Sequence, residues 1–335
     1  MPAHSRSRRR SLVLSLTLLL ALVAPGLLSG EPPPAAAATC TKTIDTRGSS
    51  TDRLQTAITN ATNGDVICLK TGTYFTVNLI IPANLTLTIR GAGQNQTVLD
   101  AKGNGRVFTI GSGARILLTR LTITGGVANA TSTGTTGGGG IRNEGGRLTL
   151  TAATVKGNRA VRGGGIYNLD GGTVILGTSA RVNTNRASEY GGGIYNEDNI
   201  NDTVILKANA QVHGNKATFH GGGVYNDRGK ITLNNDAQVS GNAAVLHNGG
   251  GIENFNSGSV TLNDRAQVSG NQAGQNGGGI DTVSADVILN DNALVTKNTA
   301  GTTGGGIYNN AGNVTQNGNA QVIFNQPNNC TNANC

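Results

Sequence analysis

The chain has 335 residues with 51 glycines, no tryptophan, 3% aromatic and 13% charged residues, and a formal net charge of +8. Such a composition excludes an aromatic core, so the interior must be stacked Ile, Val, Leu and Ala. Residues 1–38 carry four arginines and Glu31, and without them 22 basic and 17 acidic residues remain, net +5, with no run of like charges. That balance gives no support to nucleic-acid binding.

In residues 1–38, Arg6, Arg8, Arg9 and Arg10 precede an apolar run from Leu12 to Val23, and Ala35–Ala38 follow Pro32–Pro34. A basic region, a hydrophobic region and small residues in that order read as a secretory signal peptide, with no membrane span after cleavage. Residues 39–65 form an N-terminal cap. Within it Thr51 to Ile58 is the one convincing helix, with Leu54 and Ile58 on one side, placed to lid the open end of a stack of strands. Asp65–Leu69 is expected as the first strand. Leu85–Ile89, Val107–Ile110 and Ile116–Leu118 continue less regularly, and residues 129–136 are expected as a loop thrown out from the stack.

From about residue 137 the sequence repeats. Glycine triplets precede an aliphatic residue at Ile141, Ile166, Ile194, Val224, Ile252, Ile280 and Ile307, with gaps of 25, 28, 30, 28, 28 and 27. A valine three residues before an asparagine keeps pace: Val155/Asn158, Val182/Asn185, Val212/Asn215, Val239/Asn242, Val268/Asn271, Val295/Asn298 and Val322/Asn325. Between them lie runs such as Val174-Ile175-Leu176. Each unit therefore reads as three short strands with in-out-in alternation. Coils of this length stack as a solenoid whose strands pair in parallel with the next coil, about 4.8 Å away. The fold class is all-β: a single-stranded right-handed parallel β-helix over residues 66–325, with a short N-terminal capping helix. No six-residue period is present, which argues against the left-handed hexapeptide form. Residues 326–335 break the pattern and read as a C-terminal tail.

Leu54-Gln55-Thr56-Ala57-Ile58, Gly64-Asp65-Val66-Ile67-Cys68-Leu69 and Gly91-Ala92-Gly93 resemble the opening coils of the pectin-lyase-like β-helix superfamily. The paired glycine and Val-x-x-Asn marks resemble the polymorphic outer-membrane protein repeats of bacterial surface adhesins. Those adhesins use Phe where this chain uses Val, and no membrane barrel follows the repeats, so outer-membrane anchoring is not implied. The resemblance implies a secreted or cell-surface, adhesin-like binding module with a polysaccharide or cell-surface partner. The alternative it leaves open is a carbohydrate-active enzyme, a polysaccharide lyase or glycoside hydrolase, on the same scaffold.

Four cysteines in an exported chain read as two end clamps, Cys40–Cys68 and Cys330–Cys335. No histidine lies near either pair, so zinc is not expected. No cofactor is called for, and no metal site is assigned. Asp264 and Asp291 share a turn register but fall short of the 6–8 oxygens calcium takes. The asparagine series reads as a structural amide ladder. Candidate function lies in the outward position after each Ile or Val: Arg142, Tyr167, Tyr195, Tyr225, Glu253, Asp281 and Tyr308. Tyr167, Tyr195 and Tyr225 are expected to form an exposed aromatic stripe suited to sugar faces or a protein partner. Glu253 and Asp281 are the only catalytic candidates, one coil apart and within the spacing of a retaining pair, with His220 and His247 on neighbouring corners. The outward threonines and isoleucines of the middle strand are too mixed for an ice-binding array.

Overall fold

The computed structural model describes residues 39–46, 50–129, 136–197 and 199–332. The expected signal peptide, residues 130–135 of the loop expected at 129–136, and Cys335 of the second disulfide lie outside these residues. The described chain is an all-β parallel solenoid with one helix, Ser50–Thr59. Its strands build four sheets of 11, 10, 10 and 7 strands stacked along the solenoid, the last beginning only at Val127–Ala128, and every pairing is parallel.

One coil shows how the sequence makes the turn. Ile166–Leu169 lies on what we term the triglycine face, Thr173–Leu176 on the aliphatic face, and Arg181–Asn183 on the valine face. A fourth strand, Arg186–Tyr190, then leads into the next triplet on a short face that the three-strand reading missed. Most of its counterparts are two residues long, such as Lys216–Ala217 and Gln272–Ala273. One inward alanine per coil is too little to show alternation in a sequence, yet Ala187, Ala217, Ala244 and Ala273 close the core there.

The register stacks like on like. Ile166 pairs Ile194, which pairs Val224, while Val182, Val212 and Val239 form a second column. A regular coil buries an aliphatic set such as Ile166, Val174, Leu176, Ala180 and Val182, all at 0% exposure. At roughly 1.5–3 kcal/mol for each large aliphatic side chain, such columns hold neighbouring coils together. The irregular first coils depart from the aliphatic rule: Tyr74 and Phe108 are fully buried, and the Tyr74 hydroxyl donates to the carbonyls of Ile44 and Lys70. In the triplets, the first glycine has positive φ (Gly163, 58°). The second has no room for a side chain, since a Cβ on Gly164 would sit 2.5 Å from two carbonyl oxygens.

Asparagines seal the corners. Asn185 Nδ2 donates to Asn215 Oδ1 at 3.0 Å and to the Val155 carbonyl at 3.0 Å, and the Asn185 backbone N–H donates to the same Asn215 oxygen. The pattern repeats from Asn158 to Asn325, all almost wholly buried. A second ladder, Asn143, Asn168, Asn196, Asn226 and Asn254, runs at the end of the triglycine strands. In the repeat pattern these positions read only as inward strand residues.

Both ends are closed. Leu54 and Ile58 of the helix are fully buried over the first coils, as expected. Gln55 adds a contact that periodicity does not reveal: its amide donates to the Ile80 carbonyl and accepts from the Ile80 N–H, pairing the open edge of strand Leu79–Ile81. Lys42–Ile44 pairs with Ile67–Leu69, so the first strand precedes Asp65–Leu69 rather than being it. Cys40 and Cys68 form the expected disulfide. At the other end the tail folds back onto the stack. Cys330–Thr331 pairs with Ile307–Tyr308, and Asn329 Oδ1 accepts from Asn325, terminating the first ladder.

The core and the ladder can each be tested. Val239 is fully buried and Gln238 is partly exposed beside it. Val239→Asp should abolish folding or cost more than about 4 kcal/mol, and Gln238→Asp should stay within about 0.5 kcal/mol, read by urea unfolding. Equal stability would mean the inward face is misassigned. Asn242→Ala strands two donors of Asn215 and the carbonyl of Val212. It should cost on the order of 2–4 kcal/mol, and a change under about 0.5 kcal/mol would reduce the ladder to decoration.

Candidate functional site

The outward residues of the triglycine strands form one column, as the repeat requires. Arg142, Tyr167, Tyr195, Tyr225, Glu253, Asp281 and Tyr308 are register partners in that order. The expected exposure of the tyrosines does not hold: Tyr167 is 6% and Tyr195 5% exposed, and Tyr225 is half-buried. The cause is the residue before each glycine triplet. Arg162, Tyr190 and His220 stand in a second row beside the column, and Tyr190 bridges to His220 in parallel register. The positive φ of the first glycine turns the chain back over the strand, so this row screens the first.

Seven aromatic and histidine rings interlock between the rows. Tyr195 and Tyr225 stack with centroids 5.1 Å apart and planes within 2°. Tyr190 lies 5.2 Å from Tyr225 and 6.3 Å from Phe219, and Phe219 lies 5.3 Å from His247. Arg142 covers Tyr167 at 5.0 Å, and Arg162, paired with Glu189 at 3.0 Å, covers Tyr190 at 5.5 Å and Tyr195 at 5.9 Å. The Tyr167 hydroxyl donates to the Glu197 carboxylate. Burial raises the pKa of Tyr167, Tyr195 and Tyr225, so all three stay neutral donors. The accessible part of this strip is its outer row, Arg162, Tyr190, Phe219, His220 and His247. Reading the position before each triplet as a column of its own would have found Arg162, Tyr190 and His220.

One coil beyond Tyr225, the column changes from rings to acids. Glu253 is 3% and Asp281 0% exposed. Oε2 of Glu253 and both oxygens of Asp281 are buried with no well-formed hydrogen bond. Burial raises the Glu253 pKa to about 8. Burial, and then the Glu253 charge, raise Asp281 to about 9. Two acceptors facing each other with no donor between them bind protons, so near neutrality the pair is largely uncharged. His220 Nδ1 lies 3.4 Å from Glu253 Oε1, and His220 Nε2 lies 3.1 Å from His247 Nδ1. With a proton on each Nδ1, His247 donates to His220 and His220 points its proton at Glu253. Burial lowers the His220 pKa. The structure thus gathers both sequence-derived acids and both histidines, but it places the carboxyls behind His220 and the glycine corners. A Cβ on Gly249 would sit 2.5 Å from Glu253 Oε2.

Among the described residues no group of three His, Cys, Asp or Glu side chains is arranged to hold a metal ion, and no helix is long and apolar enough to cross a membrane. A groove of about 490 Å³ lies far from this strip, between strand Lys42–Ile44 and the helix, lined by Asp52, Arg53, Thr56 and Ile67. It is the seam left where the cap meets the first coil.

The signs of the shifts set a pH dependence. The carboxyls titrate from 4.5 and 3.8 when exposed and from about 8 and 9 when folded, so between those limits the folded state holds more protons. Stability then falls as pH rises from about 4 to 9. His220 acts oppositely: its folded pKa lies below 6.5, so its contribution falls as pH drops below that value. Melting between pH 5 and 9 should show a decline of at least about 5 °C that Asp281→Asn makes shallower, with Glu253 and Asp202, whose pKa burial also raises, retaining the remainder. An unchanged slope in that variant would contradict the proton-loaded pair.

No protein-family model and no curated protein matches this sequence. Among solved structures the chain is similar to pectate lyase Pel9A, with a TM-score of 0.54 and 13% identity over 89% of this chain and 80% of that one. It also aligns with the bacteriophage CBA120 tailspike protein 2 enzymatically active domain, at TM-score 0.48 and 13% identity over 81% of this chain and 40% of that one. A third similarity is to an alginate lyase from Paenibacillus sp. strain FPU-7, at TM-score 0.42 and 16% identity over 84% and 100%. At these identities the likeness is one of fold, a parallel β-solenoid, and the expected right-handed sense is consistent with the pectate lyase neighbour.

Proposed function

We propose that the protein is an exported, adhesin-like binding module whose contact surface is the outer row beside the glycine triplets. The observation that carries this reading is the gathering of rings. A chain with only 3% aromatic residues interlocks four tyrosines, a phenylalanine and two histidines along one strip. Column stacking alone does not call for this, since Arg142, Glu253 and Asp281 occupy the same register in other coils. Tyr167 and Tyr195 back the strip from beneath, while Tyr190, Phe219 and the edge of Tyr225 face a partner. Flat rings held rigid by arginines suit a sugar face or a protein surface at low entropic cost. The likeness of the repeats to surface adhesins, the disulfide and the basic-apolar start of the chain support a location outside the cell.

One observation favours a second reading, a glycoside hydrolase or polysaccharide lyase. Glu253 and Asp281 hold protons near neutrality beside a histidine pair, which suits general acid–base work. Their burial behind His220 makes the binding reading the stronger, because no substrate bond can reach either carboxyl in this arrangement.

A glycan array read for both attachment and cleavage separates the two. Tyr190→Ala and Phe219→Ala should each leave melting within a few degrees and weaken attachment by about 1–2 kcal/mol. Tyr167→Ser should instead lower stability through lost packing. Attachment unaffected by both outer-row variants would remove the proposed surface. Cleavage by the parent protein that disappears in Glu253→Gln would install the enzyme in its place.

A further inference from the structure

We propose that the partner is a sulfated polysaccharide, held by a cationic column on the same short face that ends in the aromatic row. The inference rests on the binding reading above and names its ligand class. Arg159, Arg186 and Lys216 open three successive short strands and are direct register partners. All three are exposed, and no carboxylate among the described residues pairs with them. Lys156 and Arg181 are exposed on the adjoining valine strands of the same coils. The segments 151–161, 177–188 and 207–217 contain no Asp or Glu.

Like charges directly opposite across a parallel pair, about 4.8 Å apart, repel and weaken it. The fold does not require them. The same column continues as Ala243, Gln272 and Thr299, and begins with Val127, with the same parallel pairing. Three coils therefore carry a repulsion that other coils avoid, and an anionic ligand relieves it. Two alternatives fit less well. Single-stranded nucleic acid binds where aromatic platforms interleave with cations, whereas here the cations form one column and the rings Tyr190 and Phe219 stand in a separate row. A polyuronate offers one carboxylate per sugar, whereas five cations lie within about 10 Å of solenoid axis, the length of two or three sugar rings. Such a density calls for more than one anion per sugar. Guanidinium forks suit sulfate oxygens as bidentate acceptors. Strand Arg186–Tyr190 joins the cationic column to the aromatic row, so a chain lying along the short face meets charge on one edge and rings on the other.

The test measures binding of the purified protein to immobilised dextran sulfate, uncharged dextran, polygalacturonate and single-stranded DNA across a salt series. Dextran sulfate should bind most tightly, and its affinity should fall steeply with salt. The triple variant Arg159→Gln, Arg186→Gln, Lys216→Gln should weaken it at least ~100-fold and flatten the log–log salt slope by about one for each cation removed. Gln272 already occupies this column, so the variant should fold and melt no lower than the parent. Equal binding by the variant, or polygalacturonate or DNA binding as tightly as dextran sulfate, overturns the inference. Attachment to uncharged dextran that is lost in Tyr190→Ala but not in the triple variant also overturns it, while leaving the contact surface standing. Binding to none of these probes, with a partner found elsewhere on the solenoid, removes both.

Discussion

Coil-to-coil identity of register is the constraint on which the rest of this structure depends. Each strand must find its counterpart about 4.8 Å away with the same residues facing in. A slip of one residue would turn every column inside out. The Asn158-to-Asn325 ladder enforces that register more sharply than the aliphatic columns do. Valine over valine tolerates small displacements, whereas each asparagine must meet a backbone N–H, a side-chain amide and a carbonyl at once. The ladder also satisfies corner backbone that would otherwise be buried unpaired.

The same rule that builds the core writes the surface. Any outward position becomes a column, so a change confined to a few coils marks out a zone along the axis. On the triglycine strands the column passes from arginine through three tyrosines to two acids. On the short strands it passes from two arginines and a lysine to alanine, glutamine and threonine. Both transitions fall within the same run of coils. A cationic edge, an aromatic edge and a buried proton-holding pair are thereby brought together by register alone.

Much of this is legible in the repeat, and the parts that are not have physical causes. Val182, Val212 and Ile194 announce the core because one large apolar residue per strand at fixed spacing has few other readings. Asn185 and its equivalents announce the ladder for a similar reason. The short face escapes notice because a two-residue strand with one inward alanine, as in Lys216–Ala217, leaves no alternation to detect. For the tyrosines the repeat gives the right register and the wrong exposure. In-out alternation says only that Tyr167 leaves the core, and its burial depends on a neighbouring chain segment that a glycine with positive φ folds back. At the tail, Pro327 and the loss of repeat marks hide Cys330–Thr331, whose pairing comes from the edge it meets rather than from its own residues.

The central claim is that the short face, from the cationic column to the aromatic row, is the surface this protein uses. Amide hydrogen exchange with and without dextran sulfate tests it most directly, since each coil contributes separable peptides from four faces. The account predicts added protection in 159–162, 186–190, 216–220 and 243–248, with the aliphatic strands of the same coils unchanged. Protection centred instead on the aliphatic or valine face, or spread evenly along the solenoid, would contradict it.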